Sequence, residues 1–205
     1  DATLGDGGYS LEILRLGGKI VGLDVDPNAI KRAQDRLQEA GYREQEDFKL
    51  IQSNFRDIEN LIQQTDTDLK FAGAVFDLGV SSLQLEAPER GFSFMKEGPL
   101  DMRMDPTLEV RAQDLVNGLN KGELYELFNK LGEENSARSL AEALVFTREV
   151  KPIQTTRELA TLIEKTVGRR GKIHPATRVF QALRIAVNDE LNALIKALGQ
   201  VIELL

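Results

Sequence analysis

Two aspartates that close apolar runs, and one glycine-rich turn, are the residues of this chain best suited to chemistry. Asp24 ends KIVGLD, and Asp77 ends FAGAVFD; ahead of both stands Gly5-Asp6-Gly7-Gly8-Tyr9-Ser10. A carboxylate at the carboxyl end of a buried strand lies where open α/β sheets bind their ligands. Glycines that open onto a helix let a ligand approach backbone N–H groups closely. Asp24 follows Gly7 at close to the ~20-residue separation at which an acid takes ribose hydroxyls. Each residue also has a plain structural use, as a tight turn or a helix cap. Their recurrence at successive strand ends favours a nucleoside site.

The turn narrows the ligand. A dinucleotide calls for a third glycine where Ser10 stands, and no glycine is followed by the Lys-Ser or Lys-Thr of a phosphate loop. Acidic Asp6 between glycines disfavours a pyrophosphate. A cationic ligand without phosphate, such as S-adenosyl-L-methionine, suits these carboxylates better.

Such a site has to be positioned by alternating strands and helices. Residues 1–4 read as a strand end. Leu11, Ile13, Leu14 and Leu16 give a short helix closed by Gly17-Gly18, and residues 19–24 give a strand. Pro27 opens a helix that carries Ala29, Ala33 and Leu37 inward and stops at Gly41. Residues 48–51 form the next strand, a helix follows around Ile58, Leu61 and Ile62, and residues 71–77 form a fourth, buried strand. This alternation predicts a doubly wound parallel sheet. Residues 88–105 have no period but are rich in Phe and Met, which marks an ordered functional loop. Residues 107–168 read as helices, with Thr155 and Glu158 as a cap and the Leu, Tyr and Phe positions as core.

The net charge of -7 and the absence of cysteine exclude a chain that coats nucleic acid throughout and exclude disulfides. A single histidine leaves no expected metal site. No apolar run reaches membrane-spanning length and no signal peptide is visible, so no membrane and a cytoplasmic location are expected. Residues 165–188 stand apart: they carry Lys165, Arg169, Arg170, Lys172, Arg178 and Arg184 and no carboxylate. Local positive charge among flexible glycines is what a phosphate backbone selects.

GVSSLQLEAPERGFSFMKEGPLDMRMDP, GEENSARSLAEAL and KIHPATRVFQALRIAVNDEL closely resemble the bacterial 16S ribosomal RNA (cytosine-N4) methyltransferases, over essentially the whole chain. The resemblance implies an S-adenosyl-L-methionine-dependent enzyme that methylates a cytidine of small-subunit ribosomal RNA. It implies a Rossmann-like class I methyltransferase sheet, expected here to be incomplete, in residues 1–85 and 183–205. An inserted all-helical substrate-recognition domain is expected in residues 86–182. Carried across, it places cofactor contacts at Gly7, Gly8, Tyr9, Asp24, Phe55, Asp77 and Gln84. The family usually has histidine where Tyr9 stands and proline where Leu83 stands. It also begins with an N-terminal segment before the first strand and continues past Leu205 through further strands, so a fragment is expected, with a sheet edge open to homodimer formation.

The exocyclic N4 of cytosine is a poor nucleophile because its lone pair is delocalised into the ring. A carboxylate accepting its N–H bonds would localise that pair and help remove a proton. Asp77 is the candidate for this role; service to the cofactor alone is an equal alternative. Phe92 and Phe94 are candidate stacking platforms, and Arg90, Arg103, Lys172, His174, Arg178 and Arg184 are candidate RNA contacts. Two rival functions remain: a non-catalytic RNA-binding relative and, less favoured by Ser10 and the basic segment, a nicotinamide-dependent oxidoreductase.

Overall fold

The computed structural model describes residues 1–64, 70–168 and 174–205. In chain order the elements are α1 (Gly8–Arg15), β1 (Ile20–Asp24), α2 (Pro27–Glu39), β2 (Phe48–Gln52), α3 (Ile58–Gln63), α4 (Ser82–Glu86), α5 (Ala112–Gly118), α6 (Lys121–Gly132), α7 (Ala137–Val150), α8 (Thr156–Val167), α9 (Ala176–Asn188) and α10 (Glu190–Leu204). They form two compact units, Asp1–Ser81 with Glu190–Leu205, and Ser82–Asp189. The chain is thus α/β, with a small parallel sheet and many helices.

In the first unit β1 and β2 pair in parallel, Ile20 opposite Phe48 and Asp24 opposite Gln52. Leu11, Leu14, Ile20, Leu37 and Phe48 share one buried cluster. On the other side Leu23 packs with Ile58, Ile62, Ala197 and Val201, so α3 and α10 close that face. Asp26 caps α2 by accepting the Asn28 N–H at 3.0 Å, and Pro27 occupies the first turn, where its missing donor costs nothing.

The fourth strand is a correction. Residues 71–77 make no ladder, and Ala72, Gly73 and Ala74 are exposed rather than buried. Ala-Gly-Ala offers too little apolar area to hold a strand in a core. The run nevertheless lies beside residues 1–4: the Ala2 N–H donates to Val75 O at 2.9 Å, and the Asp77 N–H to Thr3 Oγ1 at 2.7 Å. Residues 1–4 in turn border β1, with the Leu23 N–H donating to Asp1 O and the Leu4 N–H to Leu23 O. The lateral order is therefore β2, β1, residues 1–4, residues 75–77.

The second unit is helical around Leu124, Phe128, Leu140, Leu144, Leu159, Ile163 and Leu183. Its caps were legible in sequence: Thr155 Oγ1 accepts the Glu158 N–H at 3.1 Å, and the Glu158 carboxylate accepts the Thr155 N–H at 3.1 Å. The irregular stretch from Gly91 onward is threaded through this core, with Leu100 and Met102 fully buried. Main-chain bonds fix it, the Leu100 N–H donating to Gln154 O and the Thr156 N–H to Gly98 O. At Gly98 a Cβ would stand 1.8 Å from Pro88 O, backbone against backbone. Gly98→Ala should destabilise the chain by on the order of 3 kcal/mol, seen as a lower urea midpoint; an unchanged midpoint would show that the loop gives way freely.

Candidate functional site

The glycine turn is built by its own backbone. Gly7 sits at φ 73° as the N-cap of α1, and a Cβ there would meet Ala33 Cβ at 3.2 Å. Its lack of a side chain lets the turn rest on α2. Around Gly5 and Gly8, by contrast, a Cβ would meet nothing within 4 Å, so that side of the turn is open. The Gly5 N–H donates to Asp24 Oδ2 and the Asp26 N–H to Asp24 Oδ1, both at 2.9 Å. Asp24 thereby ties the turn to the end of β1, and each of its oxygens keeps a second lone pair.

Burial pushes the Asp24 carboxyl above the ordinary carboxylate range, against the backbone bonds from Asp26 and Gly5 that lower it. Between the unfolded value near 3.8 and the raised folded value, the folded chain holds a proton that the unfolded chain has lost. This contribution favours folding in acid and is lost as pH rises through the folded value.

Around this tie the other expected donor-site residues are distributed as follows. Tyr9 is 54% exposed at the start of α1. Phe55 is half-buried and meets Phe76 edge-on at 5.6 Å. Asp77 is exposed, and its backbone bond to Thr3 holds it near the entry to the glycine turn. Gly7, Gly8, Tyr9, Asp24, Phe55 and Asp77 all belong to the first unit; Gln84 is buried in the second. Two features escaped the sequence reading. Asp6 is paired with Arg32 at 2.8 Å, so the turn's charge is offset. Ser10 is fully buried and donates to Asp1 Oδ2 at 2.8 Å, which is why a small polar residue serves at the third position.

The expected RNA contacts divide into inward and outward groups. Arg103 is engaged inward: Nε and Nη2 reach the Asp101 carboxylate, each at 2.8 Å, and Nη1 donates to Pro106 O and Leu108 O. Arg90 donates to the carbonyls of Arg103 and Met104 and stands 5.8 Å over the Phe92 ring, which is itself buried. These three shape the loop. Phe94 stacks on His174 at 4.4 Å and meets Phe180 edge-on. His174 is oriented at both ring nitrogens: Nε2 lies 2.7 Å from Glu164, and Nδ1 accepts the Ala176 N–H. That pairing selects the tautomer with its proton on Nε2. Arg178 is exposed and donates to Glu133 O at 2.9 Å; Arg184 is half-buried on the same helix. Lys172 lies outside the described residues. The acids flanking Arg103 in DMRMD were the signal that its charge is spent locally.

Among the described residues no group of acids and histidine could hold a metal ion, and no helix is long and apolar enough to cross a membrane. Comparison with known proteins adds identity to this geometry. The model of the MraW methylase family matches residues 1–205. Ribosomal RNA small subunit methyltransferase H of Rhizobium etli is 48% identical over 200 residues, covering 97% of this chain and 56% of that protein. Its namesake in Dehalococcoides mccartyi is 46% identical over 209 residues, covering 100% and 58%. That of a Synechococcus species is 48% identical over 214 residues, covering 98% and 64%. The chain therefore spans somewhat over half the length of these curated relatives. With a whole-length family match and a glycine turn tied to a strand-end carboxylate, this chain belongs to the MraW methylase family.

Proposed function

We propose that the first unit is the methyl-donor-binding part, and the second the RNA-recognising part, of an S-adenosylmethionine-dependent ribosomal RNA methyltransferase acting on the N4 of a cytidine in the small subunit. The observation that carries this reading is the Gly5 N–H bond to Asp24 Oδ2, which fixes an open glycine face beside a carboxylate with lone pairs to spare. The donor set fits the ligand. Asp24 can accept two ribose hydroxyls, Tyr9 and Phe55 offer rings to the adenine, and the exposed Asp77 suits a positive charge. Two arginines reach the turn, and both are engaged at Asp6: Arg32 pairs with its carboxylate at 2.8 Å and Arg36 donates to its carbonyl at 3.2 Å. This supports S-adenosylmethionine over a dinucleotide, and a Rossmann-like arrangement is supported by the parallel pairing of β1 with β2 and by residues 1–4 lying alongside β1.

When bound, the sulfonium supplies an electrophilic methyl group. The chain's own contribution is placement and proton handling. Asp77 accepts an N–H bond from the cytosine amino group, which localises the nitrogen lone pair, and its carboxylate receives the proton that the nitrogen sheds as the new C–N bond forms. In the second unit Arg178 and Arg184 contact phosphates, together with Lys172 of the same basic stretch. The stacked Phe94–His174 pair offers a base platform. Arg90, Phe92 and Arg103 act by holding the loop that leads to it, and Gln84 opens the same unit. The cellular setting implied is the cytoplasm, on small-subunit RNA.

The direct test is transfer of a radiolabelled methyl group to small-subunit particles, followed by digestion to nucleosides. Label in N4-methylcytidine supports the proposal. Label in another nucleoside overturns the N4 assignment, and no label with either this chain or a longer relative carrying the same residues overturns the transferase reading. Replacing both Arg178 and Arg184 with alanine should weaken RNA binding and lower the slope of log affinity against log salt by about 1 to 2. An unaltered slope would remove both from the phosphate contacts.

A further inference from the structure

GEENSARSLAEAL is one of the three stretches that carry the family likeness, and of it only the Glu133 carbonyl, which holds Arg178, enters the sites above. It forms the end of α6, the turn, and the first half of α7. With the start of α6 it forms an open groove of about 640 Å³, lined among others by Lys121, Gly122, Tyr125, Asn129, Asn135 and Arg138. The volume is ample for one nucleotide. Tyr125 was expected in the core with its neighbours, but Leu124 and Phe128 are fully buried while Tyr125 is 38% exposed along the groove. Gly122 and Ala137 keep the space open.

The lining groups differ in how they are engaged. Lys121 is paired with Glu142, and Glu134 Oε1 accepts the Ser136 N–H at 2.8 Å. The side chains of Tyr125, Asn129, Asn135 and Arg138 make no hydrogen bond or ion pair among the described residues. The groove therefore presents one ring face and two amides with their bonding capacity unspent, and the Arg138 guanidinium, which makes no hydrogen bond but whose charge also acts on Glu142. A wall that includes Glu134, and whose two cations Lys121 and Arg138 both act on Glu142, is poorly suited to an acidic peptide. A ring flanked by amides suits a nucleobase, stacked on the ring and bonded at its edges.

We propose that this groove takes one nucleotide of single-stranded RNA, its base on Tyr125 and its edge read by Asn129 and Asn135, with Arg138 on the phosphate. The groove borders the basic segment within the same unit, since Arg178 donates to the carbonyl of Glu133, next to Glu134 of the lining. The proposal rests on the RNA-binding reading of the second unit and adds a contact site separate from the methyl-transfer chemistry.

The test is fluorescence anisotropy with a labelled 12-nucleotide single-stranded RNA (~12 nucleotides suffice for one such module), run beside calorimetric binding of S-adenosylhomocysteine. Tyr125→Ala should weaken RNA binding by on the order of tenfold to a hundredfold. Tyr125→Phe should restore most of it, because the ring rather than the hydroxyl stacks. Arg138→Ala should lower the salt slope by about 1. S-adenosylhomocysteine binding should be unchanged throughout. If the unaltered chain binds RNA and Tyr125→Ala and Arg138→Ala bind it equally well, the groove is not a contact site, though the RNA reading stands. If the unaltered chain binds no RNA, both fall.

Discussion

Asp24→Ala should lower the affinity for S-adenosylmethionine by about tenfold to a hundredfold, the range expected when hydrogen bonds to a charged partner are lost. Two losses combine. The ribose hydroxyls lose their acceptor, and the Gly5 N–H loses the bond that anchors the turn. Asp24→Asn separates them in part. Its carbonyl oxygen can accept from Gly5 or from Asp26 but not from both, and its amide presents donors to the other N–H. Asn should therefore fall between the parent and Ala. The pH dependence follows from the buried carboxyl. Donor binding should weaken as pH falls through a value above the ordinary carboxylate range, because protonation removes acceptor capacity. That limb should vanish in both variants. Calorimetric titration across pH is the measurement, and a limb that persists in Asp24→Asn would assign it to another group.

Arg103→Ala should destabilise the chain by about 2 kcal/mol, below the roughly 3–5 kcal/mol of fully buried pairs because some solvent reaches the bridge. The side chains of Arg103 and Asp101 are 16% and 19% exposed. The substitution leaves Asp101 with the backbone N–H of residue 103 at 3.0 Å and with Arg111 3.7 Å away, and it strips two carbonyls of their donor. Burial pushes the Asp101 carboxyl up, but the bonds and charge of Arg103 outweigh it and hold the carboxyl below the usual range. The sign is therefore opposite to that of Asp24. The pair's contribution is present in full above the unfolded value near 3.8 and is lost as pH falls through the depressed folded value. Urea unfolding of parent and variant should differ most at neutral pH and converge in strong acid. Arg103→Lys should recover only part of the difference, since an ammonium cannot span the carboxylate and both carbonyls as a planar fork does. A gap that stays constant across pH would show that the ion pair contributes nothing.

The parts of the fold that were legible in sequence are those where one local signal sufficed. Pro27 after Asp26 fixes the start of α2, and Thr155 with Glu158 fixes α8. The apolar runs at residues 20–23 and 48–51 carry enough side chain to pair as strands. Ala72-Gly73-Ala74 does not, and its run remains beside residues 1–4 without becoming a ladder. The glycine turn and the strand-end acid stand out in sequence although each also serves as an ordinary turn or cap, and the Gly5 N–H bond to Asp24 is what joins them. What stayed hidden was pairing between distant or irregular positions. Arg32 finds Asp6 across α2, Arg178 finds the carbonyl of Glu133, and Phe94 finds His174. A count of basic and aromatic residues cannot tell which of them face inward, as Arg103 and Phe92 do. Nor does helical period place Tyr125 on a groove rather than in the core, since Leu124 beside it takes the buried position.

Equilibrium binding of S-adenosylhomocysteine, followed by amide chemical shifts of the isotopically labelled chain, tests the central assignment most directly. The expected result is saturable binding at one site, with the largest shifts at Gly5, Gly7, Gly8 and Asp24, and a clear loss of affinity in Asp24→Ala. Absence of binding, or saturable binding whose shifts lie away from the glycine turn and are indifferent to Asp24, would contradict it.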